Sequence, residues 1–161
     1  MAFIDEDSED SVEYADFYNV SYAVGMGCRN WDEDVMMVQF FLQKIYEHED
    51  MKKKTPKGTM TVDGKCGPIT RNWILKFQLD VRIIEGYNAL PDGIVDKAGN
   101  AKSNEITSIS NTQYIIRAMN NFLRTKQKPL YRTLPVNAEV PPPLRLAFLQ
   151  MNAEKPDADF N

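Results

Sequence analysis

One histidine, two cysteines and a spread of carboxylates are the groups in this 161-residue chain that could carry a reaction. His48 stands in the charged run Glu47-His48-Glu49-Asp50, where a helix end and an exposed imidazole are expected. Zinc hydrolysis needs three protein ligands and an open position. One histidine with Cys28 and Cys66, both distant in sequence, is a poor set for that. No H-E-x-x-H, G-x-S-x-G or Cys-His-Asp arrangement is present. Asp92 and Asp96 have a spacing that a calcium loop uses, but without the other oxygen ligands such a loop requires. Whether two acids stand close enough for glycoside cleavage is a question of distance, which a sequence does not display. The expectation is therefore a protein that is not an enzyme and holds no metal or cofactor.

Composition narrows the partners. The net charge of −4 conceals an asymmetry: the first 28 residues hold seven acids and no Lys or Arg, and the remainder carries about +3. A mildly basic body with an acidic leader lacks the dense basic stripe of a nucleic-acid binder. Lys52-Lys53-Lys54 reads as a solvated loop rather than a polyanion site, because Glu47, Glu49 and Asp50 stand beside it. Two cysteines are too few for a disulfide framework; they are ordinary thiols, or a pair if the chain reaches an oxidising space. The N-terminus lacks a basic segment followed by an apolar one, and no stretch approaches about 18 apolar residues. A chain made in the cytoplasm without a membrane span is expected, with any delivery to the periplasm by a non-classical route.

The elements are legible from turn chemistry and apolar spacing. An apolar content of 43% suffices for a core. Thr61 to Gln78 is the centre of the pattern: the Asp63-Gly64 turn, Gly67-Pro68 as a helix start, then Ile69, Trp73 and Phe77 on one helix face. An earlier helix is expected from Asn30, capped by Asn30 with Glu33, with Val35, Val38, Leu42, Ile45 and Tyr46 inward and apolar residues almost all round. The second helix is expected to end near Leu79, with Val81, Ile83 and Ile84 in an extended connection. Asp92-Gly93 echoes Asp63-Gly64, followed by a polar loop from Lys97 to Thr107. A third helix is expected over about 111–124, with Ser108, Ser110 and Asn111 as caps and Ile115, Met119 and Phe122 inward. After Lys128 the prolines predict irregular chain, then a short helix from Pro141-Pro142-Pro143 to about Met151. The organisation expected is an acidic tail over 1–16, a domain with an N-terminal arm over 17–128 and a Pro-rich extension over 129–161.

The motifs in this order resemble a family. Asp34-Val35-x-x-Val38-Gln39-x-x-Leu42, Val62-Asp63-Gly64-x-x-Gly67-Pro68-x-Thr70, Phe77-Gln78 and Asp92-Gly93-Ile94-Val95 resemble the peptidoglycan-binding-domain-like family of small three-helix modules. The resemblance covers about residues 34–123. It implies an all-α, three-helix bundle, here with an extended N-terminal arm and a short C-terminal helix. Asp63, Gly64, Gly67, Pro68, Thr70, Phe77, Gln78, Asp92 and Gly93 would then be structural. Cys66 stands where the family usually has an aromatic, and Trp73 and Ile74 where it often has alanine and valine. The segment from Val24 through Gly25 and Gly27 to Asn30, and Pro142 to Arg145, look like parts of small proteobacterial versions, some found near contractile secretion machinery.

The resemblance implies non-catalytic binding of peptidoglycan, as an accessory to a secretion or lysis system. The ligand would lie in a shallow groove beside the second helix, touching Arg71, Asn72, Trp73 and Lys76, with Gln39 and Gln43 facing from the first. Amide, guanidinium and aromatic groups suit the amides, hydroxyls and carboxylates of the wall. The substitution at Trp73 and the long flanking arms favour an alternative: an adaptor that binds a protein, such as a neighbouring gene's product, and has lost wall recognition.

Overall fold

The computed structural model describes residues 17–99 and 113–153. The acidic tail, most of the polar loop after Lys97, the caps expected at Ser108, Ser110 and Asn111, and the C-terminal tail lie outside the described residues. Within them are five α-helices and no strand longer than a single bridge: α1 (Asp32–Glu47), α2 (Pro68–Ile84), α3 (Ile115–Lys126), α4 (Lys128–Arg132) and α5 (Pro142–Ala153). The all-α expectation holds for them.

The middle helix in space is α1, which packs against α2, α3 and α5. Its nearly continuous apolar surface explains this: Val35, Met37, Val38, Phe40, Phe41, Leu42, Ile45 and Tyr46 are all buried. A helix that apolar must be covered on several sides. From α2 come Trp73, Ile74, Phe77 and Val81, and from α3 come Ile115, Ile116, Met119, Phe122 and Leu123. From α5 come Leu144 and Phe148, the latter stacked on Phe41 with ring centroids 6.2 Å apart.

The N-terminal arm crosses the bundle as extended chain, pinned by polar groups as well as by Phe17, Tyr18 and Val20 in the core. Buried Asn120 of α3 accepts the Tyr18 N–H and returns a hydrogen bond to the Tyr18 carbonyl, at 2.9 and 3.0 Å. The Asn19 amide pairs with the backbone of Ala98 in both directions. The Asp34 carboxylate accepts the N–H groups of Ser21 and Tyr22, at 2.8 and 2.9 Å. Val24 forms an antiparallel bridge with Val95. Chain without a ladder of its own thus has its polar backbone satisfied by side chains, as buried backbone requires.

Several helix boundaries differ from the expectation. Asn30 does not cap α1; Trp31 holds that position with no side-chain cap bond. Asn30 has φ +50°, and its amide bonds the N–H and carbonyl of Gly25 and the carbonyl of Cys28. Its short side chain closes a loop instead, a use that competes with capping. The second helix runs five residues past Leu79, because nothing before Gly86 breaks it and the Lys76–Asp80 pair at i, i+4 braces that turn. Ile69 is 44% exposed, and Thr70 takes the inward place at the first turn of α2. The third helix begins at Ile115 behind Tyr114 and reaches Lys126. Where irregular chain was expected after Lys128, α4 forms with Pro129 in its first turn, a position where proline loses no helical hydrogen bond. The proline run does open α5, which extends two residues past Met151.

Gly25 lies at the crossing of the arm and the second turn, with φ +147°. A Cβ there would stand 2.8 Å from the Gly93 carbonyl oxygen and 2.9 Å from Ile94 Cγ1. Gly25→Ala is expected to lower unfolding free energy by about 2 kcal/mol or more, from strain plus a clash with fixed backbone. Urea denaturation measures it, and a loss below about 0.5 kcal/mol would show that this crossing is not tight.

Candidate functional site

The two Asp-Gly turns are each held by a glutamine from the preceding helix. Gln39, fully inside, accepts the N–H groups of Asp63 and Gly64 on Oε1, at 3.0 and 2.9 Å. Its Nε2 lies 3.0 Å from Asp63 Oδ1, 3.0 Å from the Lys65 carbonyl and 2.9 Å from Thr70 Oγ1. Gln78 repeats this one turn later. Its Oε1 accepts the Gly93 N–H at 2.8 Å, and its Nε2 donates to Asp92 Oδ1 and to the Ile94 carbonyl, at 3.2 and 3.0 Å. Each aspartate also accepts the N–H two residues on, from Lys65 and from Ile94. Gly64 and Gly93 have φ +79° and +75°, the left-handed region this turn needs at its second residue. Of the residues expected to be structural, Asp63, Gly64 and Thr70 are joined through Gln39, and Asp92 and Gly93 through Gln78, while Gly67 and Pro68 start α2 and Phe77 lies in the core.

Much of the expected ligand set is consumed by the same scaffold. Trp73 is buried, packs edge-on against Tyr46 at 5.5 Å and donates its indole N–H to the Lys57 carbonyl at 3.1 Å. Lys76 pairs with Asp80 at 2.9 Å and donates to the Lys54 carbonyl at 3.1 Å. The Tyr46 hydroxyl donates to the same Asp80 at 2.7 Å, and burial followed by that bond drives the phenol's pKa far upward. Gln43 is half-buried, with Nε2 3.3 Å from the Met60 carbonyl. Arg71 reaches the Cys66 carbonyl at 3.4 Å and is half-exposed, and Asn72 is exposed. Of the six residues, Arg71 and Asn72 keep side chains turned to solvent, while Gln39 and Trp73 are core.

The reactive groups are likewise in structural settings. His48 is half-buried rather than open, edge-on to Phe122 at 5.5 Å, with Nδ1 accepting the Asp50 N–H. Cys28 and Cys66 are free thiols, and burial raises both pKa values. Among the described residues, no group of three or more His, Cys, Asp or Glu side chains is placed to hold a metal, and no helix is long and apolar enough to cross a membrane.

Sequence reasoning overlooked a cluster at the start of α1. Tyr22 and Trp31 are 39% and 47% exposed, with ring centroids 5.5 Å apart and planes inclined by 39°. The Arg29 guanidinium carbon lies 4.2 Å from the Tyr22 ring centre and 5.8 Å from that of Trp31. The available signal was the turn chemistry of Gly25, Gly27 and Asn30, with Arg29 inside that loop and Trp31 directly after it.

Gln39→Leu leaves the Gly64 N–H without an acceptor, while the Asp63 N–H keeps the Thr61 carbonyl and the Lys65 carbonyl keeps the Gly67 N–H, and is expected to cost about 2 kcal/mol. Asn72→Ala, on the exposed face, is expected to stay within about 0.5 kcal/mol. The Lys65 N–H and then the Gln39 amide hold the Asp63 carboxyl below the ordinary aspartate value of 3.8. A depressed folded pKa contributes stability that is complete above the unfolded value and lost as pH falls through the folded one. The Tm gap between wild type and Asp63→Asn should therefore be widest near neutrality and shrink below pH 4; a gap constant down to pH 2.5 would exclude this coupling.

Set against family models, curated proteins and solved structures, the chain matches none of them.

Proposed function

We propose that this chain is a non-catalytic peptidoglycan-binding module, an accessory to a secretion or lysis system that acts on the wall after delivery to the periplasm. The reading takes the bundle of α1, α2 and α3 as a peptidoglycan-binding-domain-like arrangement. The observation that carries it is the doubled glutamine lock. Gln39 with Asp63, Gly64 and Thr70, and Gln78 with Asp92 and Gly93, are the residues on which the resemblance rests, and each set is one hydrogen-bonded unit. A spacing met by accident would not need to bring these polar members of the motif together, though Asp34 holds the N-terminal arm instead.

A second reading is favoured by one specific feature. The outer side of the α2 C-terminal half carries Leu79, Ile83 and Ile84, all exposed, with Ile83 at 82%, and Leu90 follows them exposed. Apolar side chains gathered in that way suit a protein partner. In this reading the module is an adaptor and its partner is a protein rather than the wall.

Cosedimentation with purified sacculi at low and moderate salt separates the two. Wall binding predicts that most of the chain pellets with sacculi and that no muropeptide is released. Failure to pellet at both salt concentrations sinks the first reading. A stoichiometric complex with a protein, lost in Ile83→Lys, would then select the second.

A further inference from the structure

The side chains proposed to line the groove beside α2 are largely committed to the fold, whereas Tyr22, Arg29 and Trp31 face solvent at the start of α1. Their backbone is held on both sides. The buried Asp34 carboxylate fixes Ser21 and Tyr22, and the Asn30 amide closes the loop from Gly25. The Trp31 carbonyl accepts the Val35 N–H at 2.9 Å, which sets the indole on the first turn of α1. Asn30 itself adopts φ +50°, an uncommon state for a side-chain-bearing residue that persists only when its surroundings enforce it. The result is a held backbone that presents the Trp31 ring and a Tyr22 ring with the Arg29 guanidinium over one of its faces, all turned outward.

We propose that Tyr22, Arg29 and Trp31 form a stacking platform for a glycan strand that carries carboxylate groups. The face of an aromatic ring is negative, and the C–H groups on one face of a pyranose are apolar and weakly positive, so the two lie flat against each other. The Tyr22 hydroxyl, the indole N–H and the guanidinium supply donors at the rim for sugar hydroxyls and amide carbonyls. Arg29 matches a carboxylate by charge and by its forked geometry. Asp32, exposed beside Trp31, keeps the site from being a general anion trap, so stacking supplies most of the affinity. A backbone already held in place loses little conformational freedom on binding. The surface is polar-edged, unlike the aliphatic stripe of α2, which favours a sugar here over a protein.

This inference rests on the wall-binding reading, and the test keeps the two apart. Trp31 is exposed and Trp73 buried, so iodide quenching of tryptophan emission in the full chain reports chiefly on Trp31. Soluble muropeptides released by muramidase are expected to reduce that quenching about two-fold at saturation. Trp31→Ala and Tyr22→Ala should each weaken sacculus binding about ten-fold, the scale of one aromatic stacking contact. Arg29→Gln should weaken muropeptide binding by a larger factor than it weakens binding of neutral chitotetraose, and equal losses for both would overturn the carboxylate contact. Circular dichroism and the Tm establish that each variant is folded. If wild type pellets with sacculi and the folded Tyr22→Ala/Trp31→Ala double variant pellets equally well, the platform is wrong and wall binding stands. If wild type does not pellet, wall binding fails, and the platform is judged on soluble fragments alone: quenching unchanged by millimolar muropeptide overturns it.

Discussion

A carboxamide buried beneath a backbone turn is the interaction on which the arrangement depends. An Asp-Gly turn tucked against a helix leaves backbone N–H groups facing inward, and an unpaired one costs about 1–3 kcal/mol. A glutamine is long enough to reach the turn and carries both an acceptor and donors on one planar group. Gln39 spends its oxygen on the Asp63 and Gly64 N–H groups and shares its two hydrogens among Asp63, Lys65 and Thr70. Gln78 does the same with fewer partners for Asp92, Gly93 and Ile94. Each lock fixes where the chain goes next: the first starts α2 with Pro68, and the second brings Val95 against Val24.

Around the locks the forces are ordinary but unequal. Burial of the apolar core, Phe40, Phe41, Phe77 and Phe148 among its largest side chains, supplies the bulk of the stabilisation, at about 25 cal/mol for each Å² removed from water. Surface pairs such as Lys44–Glu47 and Lys126–Asp50 add little, because water screens them and holding two long side chains costs entropy. Asp34 shows the opposing terms at one carboxylate: burial raises its pKa despite two backbone N–H groups that favour the ionised form. Its folded pKa is raised, so ionisation takes stability away as pH climbs from 3.8 through the folded value. What Asp34 provides in return is the position of the arm.

Helix identity and the two turns were legible in the sequence because their causes are local. Proline at a first turn, glycine at positive φ and apolar residues three and four apart act within a few residues. The misreadings have causes that lie further off. Asn30 can cap a helix or close a loop, and only the neighbourhood of Gly25 decides between them. Ile69 or Thr70 can face inward, and Gln39 settles the choice. Val81 to Ile84 continue a helix because Asp80, buried beside Tyr46, is braced by Lys76. Trp73 was legible as part of the apolar face of α2 but its burial beneath Tyr46 and Lys57 was not, and neither was the exposure of Tyr22, which depends on Asp34 holding the arm across the bundle.

The arm also orders events in time. Tyr18 needs Asn120, Tyr131 and Phe148 around it, the first 102 residues away and the last further still. During synthesis it leaves the ribosome before any of them. The helices α1 and α2 and the first lock can form from nearby chain, whereas closing so long a loop awaits α5. The segment made before its partners is seated only after them, and until α5 docks Phe41 of α1 lacks the Phe148 ring that covers it. Docking of Tyr18 between α3 and α5, a contact of high sequence separation, is thus the step that completes the fold.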